Sequence, residues 1–191
     1  MKASSQLSDI VTLLNRGKIG VLPTDTIYGL VGSALRSGAV EKIYKLRKRA
    51  KDKPMIILVS SLNDLNNFNI KLTGEQKKFL EKTWPNPVSV VLPCSSKRFS
   101  YLHRGKESMA FRMPNDKMLL EVLRQTGPLV APSANYEGEV PAENINQAKK
   151  YFEKKISFYI AGGKIKSQPS TIISLDNEGN RRILRQGIFK L

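Results

Sequence analysis

A chain of 191 residues, 40% hydrophobic and 25% charged, has the length of one domain, taken as residues 1–191, and the composition of a globular protein. Its single cysteine, Cys94, excludes an internal disulfide or a thiolate metal cluster, and its single histidine, His103, excludes a histidine-rich zinc site. Thirty-two basic residues against sixteen acidic give a net charge of +16, a balance that favours polyanionic partners, either nucleic acid or nucleotide phosphates.

In chain order, Met1–Gln6 lacks the apolar core of a signal peptide, and no apolar run is long enough to span a membrane, so the cytoplasm is the expected location. Ser4 or Ser5 is expected to cap a helix whose Leu7, Ile10, Val11 and Leu14 share one face, with Gly17 as its stop. A short buried strand over 18–22 should end at Pro23, which cannot donate to a sheet ladder, and open into a loop. Val40, Ile43 and Leu46 mark a second amphipathic helix ending in a dense patch, with seven cations between Lys42 and Lys53 against the single acid Asp52. Met55–Val59 is a continuous apolar run of strand length. Thr73 with Gln76 forms a capping box, Trp84-Pro85-Asn86-Pro87 breaks the helix that follows, and 88–92 reads as a strand.

Met109–Met113 alternates as a strand and can follow its predecessor without an intervening helix. Asn115 is expected to cap a helix carrying Leu119, Leu120, Val122 and Leu123, which Gly127 ends. A strand near 128–132 runs into Ser133-Ala134-Asn135, and a helix near 142–152 precedes strands near 156–160, 171–175 and 181–185. Strands and helices interleave throughout, so the expected fold is a single α/β domain with a twisted, mixed sheet flanked by helices.

Chemistry is expected at the strand ends. The loop after Leu22 sets two threonines (Thr24, Thr26), the Asp25 carboxylate and the Tyr28 phenol within five residues. Arg47-Lys48-Arg49 with Lys53 can clamp phosphate, although cations also suit the negative end of a helix dipole. Ser133 and Asn135 follow a strand, where they can serve a ligand or cap a turn. Arg112 sits in an apolar strand, where a guanidinium needs an anion. Ser170 opens a strand and Arg185 nearly closes the chain. His103 lies in the basic stretch Arg98–Lys106, read as a surface loop, and Cys94 is read as a buried structural thiol.

Taken together, Pro23–Leu30, Arg47–Pro54, Trp84–Pro87, Ala110–Pro114, Ala131–Asn135, Ser170–Ile173 and Leu184–Gly187 resemble the YrdC/TsaC family of threonylcarbamoyl-AMP synthases, in its short single-domain form. The resemblance implies a twisted α/β domain with a concave basic cavity. It further implies that L-threonine, bicarbonate and ATP yield threonylcarbamoyl-AMP and pyrophosphate, the product passing through a threonylcarbamoyl-transferase complex to adenosine 37 of tRNA. On that resemblance Thr24, Arg112 and Ser170 bind threonine, while Arg47, Arg49, Ser133, Asn135 and Arg185 face ATP, with Arg47 and Arg49 as the catalytic pair. Thr26, Tyr28 and Lys53 shape the same cavity. Mg2+ arrives on the ATP phosphates, no protein-bound transition metal is expected, and weak tRNA or double-stranded RNA binding accompanies the charge.

The chain departs from the family pattern in three places. Arg47 stands where the family carries a lysine, Tyr136–Pro141 is more acidic than usual, and the additional carboxyl-terminal domain of the larger members is not seen. Two other classes fit the same residues: a nucleic-acid-binding module, weakened by an aromatic content of only 7%, and the carbamoyl-transfer domain of hydrogenase maturation proteins.

Overall fold

The apolar run 55–59 lies at the centre of the sheet, because both faces there are covered. A computed structural model describes residues 2–190, and side chains from Gln6 onward. In it β3 (Ile57–Leu58) lies between β5 (Ser108–Arg112) and β6 (Leu129–Val130). Successive side chains point to opposite faces. Ile57 therefore joins a core with Tyr28, Leu30, Ile43, Phe68 and Phe111, whereas Leu58 joins Leu14, Leu22, Val31, Leu119 and Leu123 on the other side.

The remaining strands are β1 (Gly20–Leu22), β2 (Gly29–Ser33), β4 (Val88–Pro93), β7 (Phe158–Tyr159), β8 (Thr171–Leu175) and β9 (Arg181–Arg185). They complete a nine-stranded sheet among the described residues, in the order β7-β1-β2-β6-β3-β5-β4-β8-β9. Three pairs are parallel (β1 with β7, β3 with β5, β4 with β8) and the other five antiparallel, so the sheet is mixed as expected. Helices α1 (Lys2–Asn15) and α5 (Lys117–Thr126) pack together over one face. Helix α2 (Ser37–Arg47) and the short α4 (Ser100–His103) cover the other, joined by Phe68, which stacks with Phe99 and Phe111 at 5.4 and 5.2 Å. Helices α3 (Gly74–Thr83) and α6 (Ile145–Phe152) complete the set. No described helix is long and apolar enough to cross a membrane.

Local signals behave as their chemistry dictates. The Thr73 hydroxyl accepts from the Gln76 amide while the Gln76 carbonyl accepts from the Thr73 N–H, closing the capping box on α3. Gly17 and Gly127 follow α1 and α5 with positive φ. β5 pairs antiparallel with β4, but the short helix α4 lies between them in the chain, so the expected connection without a helix is corrected. Helix α1 starts ahead of Ser4 and Ser5, whose expected capping side chains lie outside those described.

Three further expectations are corrected. The strand expected over 18–22 is only three residues long, although it ends before Pro23 and opens into a loop as expected. The chain then returns as β2, antiparallel to β1, an unexpected strand whose two glycines hide its signal. Gly32 is small because a Cβ there would stand 2.8 Å from Ile19. Asp116, not Asn115, caps α5, its carboxylate accepting from the Leu119 amide at 2.8 Å. His103 is not in a surface loop: it ends α4, buried beside Leu102. Its Nδ1 accepts from the Gly105 amide at 3.2 Å, which leaves Nε2 to donate to the Ser96 carbonyl. Cys94 is buried as expected.

Edge strand β9 is exposed along its length, with Ile183 and Leu184 each 52% open to solvent and Arg181 stacked on Phe79.

Candidate active site

The reversal between β1 and β2 is built around one hydroxyl. Thr24 Oγ1 donates to the Ile27 carbonyl at 2.7 Å and accepts from the amides of Thr26 and Ile27. That leaves it little capacity for a ligand, so Thr24 offers the adjoining cavity its methyl group and the shape of the turn. Thr26 Oγ1 lies 3.1 Å from that hydroxyl and accepts from Arg112 Nη1 at 3.2 Å.

The cavity itself has a volume of about 530 Å³, within the usual range for small-molecule sites. Its walls come from the β1–β2 turn, the residues before β3, the exits of β5 and β6, the segment leading into β8, and the end of β9. Eight of the residues expected at a site line it: Thr24, Thr26, Arg47, Arg49, Arg112, Ser133, Ser170 and Arg185.

How the cation patch splits explains much of the geometry. Arg47 is the last residue of α2, and Lys48 takes a left-handed conformation (φ 51, ψ 35) that turns the chain sharply. Arg47 consequently points inward. Its Nε donates to the Asn135 carbonyl at 3.0 Å, and its Nη2 donates to Ser133 Oγ and Asn135 Oδ1, each at 3.1 Å. Its Nη1 is buried with no partner, which leaves the two N–H groups of that nitrogen for a ligand. Burial and the neighbouring Arg49 push the guanidinium down to about 10, still charged at neutral pH.

Lys48 swings over the Tyr136 ring, 4.6 Å from its centre. Arg49 donates to the carbonyls of Lys53 and Pro54 at 3.0 and 2.9 Å. The acidic departure after Asn135 now has a purpose. The Glu137 carboxylate accepts from the Ala50 amide at 2.6 Å and from Lys53 at 2.9 Å, with Arg49 4.0 Å away. Those contacts, the Ala50 amide first, hold Glu137 below the usual carboxylate range.

At the far end of the cavity Arg112 is paired with Asp25, Nη2 to Oδ1 at 3.2 Å. Ser170 Oγ lies 2.9 Å from the buried Ser89 hydroxyl, and Arg185 donates to the Ser170 carbonyl at 2.7 Å. Three expected residues do not line the cavity. Tyr28 is fully buried behind it, its hydroxyl donating to the Gly163 carbonyl and accepting from the Gly162 amide. Asn135 holds Arg47, and Lys53 sits outside on Glu137. Sequence reasoning singles out Asp25 only as the carboxylate of the loop after Leu22, without a role of its own, and Ser89 and Glu137 carry no expected role. A polar residue inside the apolar run 88–92 is the only sequence signal for Ser89.

The charges are unevenly compensated. Arg112 has Asp25, and Arg49 has Glu137, but Arg47 and Arg185 have only neutral oxygen partners among the described residues. No group of three or more potential metal-ligating His, Cys, Asp or Glu residues occurs among the described residues. Asp25 and Glu143 near the cavity are engaged by Arg112 and Lys164. A divalent ion fits this donor set as part of a bound nucleotide rather than on a protein carboxylate cage.

The fold and cavity define a mixed α/β domain whose buried guanidiniums face a concave site. The family model Sua5_yciO_yrdC, described as Telomere recombination, matches residues 12–187, and the chain belongs to that family. It is 29% identical to the threonylcarbamoyl-AMP synthase of Bacillus subtilis over 83% of this chain and 46% of that protein. It is 31% identical to that of Pyrococcus abyssi over 85% of this chain and 48% of that protein. The P. abyssi Sua5 structure complexed with L-threonine superposes with a TM-score of 0.86 at 30% identity, covering 95% of this chain and 54% of that one. The chain thus spans about half the length of these relatives.

Proposed function

We propose that the protein is an L-threonylcarbamoyladenylate synthase, making threonylcarbamoyl-AMP and pyrophosphate from L-threonine, bicarbonate and ATP. The observation that carries this reading is the uncompensated charge in one cavity. Arg47 and Arg185 have no carboxylate partner among the described residues, which leaves net positive charge suited to a triphosphate, while Arg112 is already paired with Asp25. The relatives named as threonylcarbamoyl-AMP synthases and the threonine-bound P. abyssi structure support the same assignment.

The amine of threonine forms a bond to the bicarbonate carbon, and the bicarbonate hydroxyl leaves as water with an amine proton, giving the carbamate. A carbamate oxygen then forms a bond to the α-phosphorus of ATP, and pyrophosphate leaves with the electron pair of the broken P–O bond. Such a step needs alignment and cation stabilisation more than a protein acid or base, which suits a cavity lined by guanidiniums and hydroxyls. Arg47 Nη1 and Arg49 meet the phosphates as the catalytic pair, with Arg185 and Ser133 beside them. Asn135 serves the nucleotide end by holding Arg47. Arg112 and Ser170 receive the amino acid, with Thr24 and Thr26 forming the turn against it. Tyr28 and Lys53 support the walls. Mg2+ enters on the ATP phosphates. The same reading has the product passed in the cytoplasm to a threonylcarbamoyl-transferase complex acting on tRNA, with weak, sequence-tolerant RNA contact that weakens steeply as salt rises.

Incubation of the purified protein with ATP, labelled bicarbonate and L-threonine tests the proposal, with labelled threonylcarbamoyl-AMP and pyrophosphate as the expected products. L-valine should support far less pyrophosphate release, because a site that hydrogen-bonds a hydroxyl leaves polar groups unpaired when the hydroxyl is missing. Equal rates with the two amino acids, or RNA binding without any adenylate, would refute it.

A further inference from the structure

Asp25 is the one functional group of the β1–β2 turn that the proposed reaction leaves without a task. We propose that it is a positioning residue, which holds Arg112 at the amino-acid end of the cavity and keeps phosphate out of that end. The proposal rests on the functional reading above. Asp25 does not line the cavity, so it acts through its partners and not on a ligand.

Its contacts define that role. The side chains of Asp25 and Arg112 are each only 5% exposed. Oδ1 lies 3.2 Å from Arg112 Nη2, and Oδ2 accepts from the Asn115 backbone amide at 3.1 Å. One carboxylate therefore grips both a guanidinium at the end of β5 and the backbone three residues later. The guanidinium in turn donates to Thr26, the residue after Asp25. The turn and the end of β5, which each contribute to the cavity wall, are fastened together at this point.

Charge gives the second half of the role. Arg112 has Arg185 as a cationic neighbour. With Asp25 in place, Arg112 adds no net charge to the cavity, and Arg185 is the one uncompensated cation beside it. Without the carboxylate, two like charges would face the amino-acid end, and that end would attract phosphate. A charge placed to repel the wrong ligand group supplies specificity as effectively as one placed to attract the right one.

The test is a cycle of Asp25→Asn, Arg112→Met and the double variant, each assayed with varied threonine and with varied ATP. Asp25→Asn should raise KM for threonine about tenfold and leave KM for ATP within about twofold, as expected when one partner of a buried charge pair is lost. Pyrophosphate should become competitive against threonine in this variant only. In the Arg112→Met background the same substitution should have little further effect. If Asp25→Asn is poorly folded, the double variant should regain much of the melting temperature, because it removes the stranded cation as well. Equal changes in both KM values, unchanged pyrophosphate inhibition, or additive effects in the double variant would overturn the proposal. If the wild-type protein makes no threonylcarbamoyl-AMP, the functional reading fails by itself. The melting temperatures of the cycle then still decide whether Asp25 acts through Arg112, since additive shifts would reject the coupling.

Discussion

Arg47→Ala is expected to lose more than about tenfold in adenylate synthesis, and its melting temperature is expected to fall as well. From the sequence, the alternative was a cation at the end of a helix, where its loss costs roughly 0.3–1 kcal/mol through the helix dipole. The structure removes that alternative, because Arg47 is 3% exposed and makes three hydrogen bonds to Ser133 and Asn135. Truncation strands those acceptors, at a cost on the order of 2–4 kcal/mol. For a chain of this size each kcal/mol lowers the melting temperature by about 2–4 °C. Arg47→Lys should retain part of both quantities, since an ammonium keeps the charge but cannot reach all three acceptors at once. Steady-state kinetics with ATP and a thermal melt measure the two effects separately. Wild-type ATP affinity in the alanine variant would place the phosphates elsewhere, with Arg49 and Arg185 as the remaining cations.

Gly187→Ala should be nearly as damaging, although residue 187 is outside the cavity lining. A Cβ there would stand 2.2 Å from the Pro169 carbonyl oxygen and 2.5 Å from the Ser170 carbonyl carbon. These are backbone atoms and cannot rotate aside. The neighbouring chain is fixed by the Gly187 amide donating to Thr171 Oγ1 and by Arg185 donating to the Ser170 carbonyl. The added methyl must therefore displace Ser170, Arg185 or both. Overpacking of this kind costs about 1–3 kcal/mol of stability. The larger effect is expected on turnover, since a misplacement of about 1 Å at a reacting centre can cost about a hundredfold. A kcat and KM for threonine near wild type would show that the backbone relaxes without moving the site.

How much of this was legible in the sequence depends on whether a residue's role is set by neighbours in the chain or across it. The capping box at Thr73 and Gln76, the break after Trp84 and the stop at Gly127 are local, and each could be read directly. Strand β2 was hidden because its burial comes from Ile19 and Ile43, not from its own glycine-rich residues. His103 was misplaced for a similar reason: charged neighbours suggested a loop, but Phe99 and Leu102 draw the segment into the core. The candidate site was legible as a set of residues, because hydroxyls and guanidiniums at strand ends are unusual enough to stand out. Its internal division was not. Thr24 has its hydroxyl consumed by its own turn, and Arg47 owes its burial to Asn135, 88 positions away. Only the folded chain distinguishes a group free to meet a ligand from one already committed.

Strand β9 has a consequence for how the protein behaves in solution. An unpaired sheet edge carrying Ile183 and Leu184, each half open to solvent, is a template on which another strand can stack. Arg181 and Arg182 lie on the same edge, so two copies approaching there meet like charge. That repulsion is screened over about 10 Å at 0.1 M salt and about 3 Å at 1 M. The chain should accordingly stay dispersed in dilute buffer and begin to self-associate as ionic strength rises, a trend that light scattering would follow. The cationic character that suits the cavity to phosphates would, at this edge, also serve as the protein's colloidal protection.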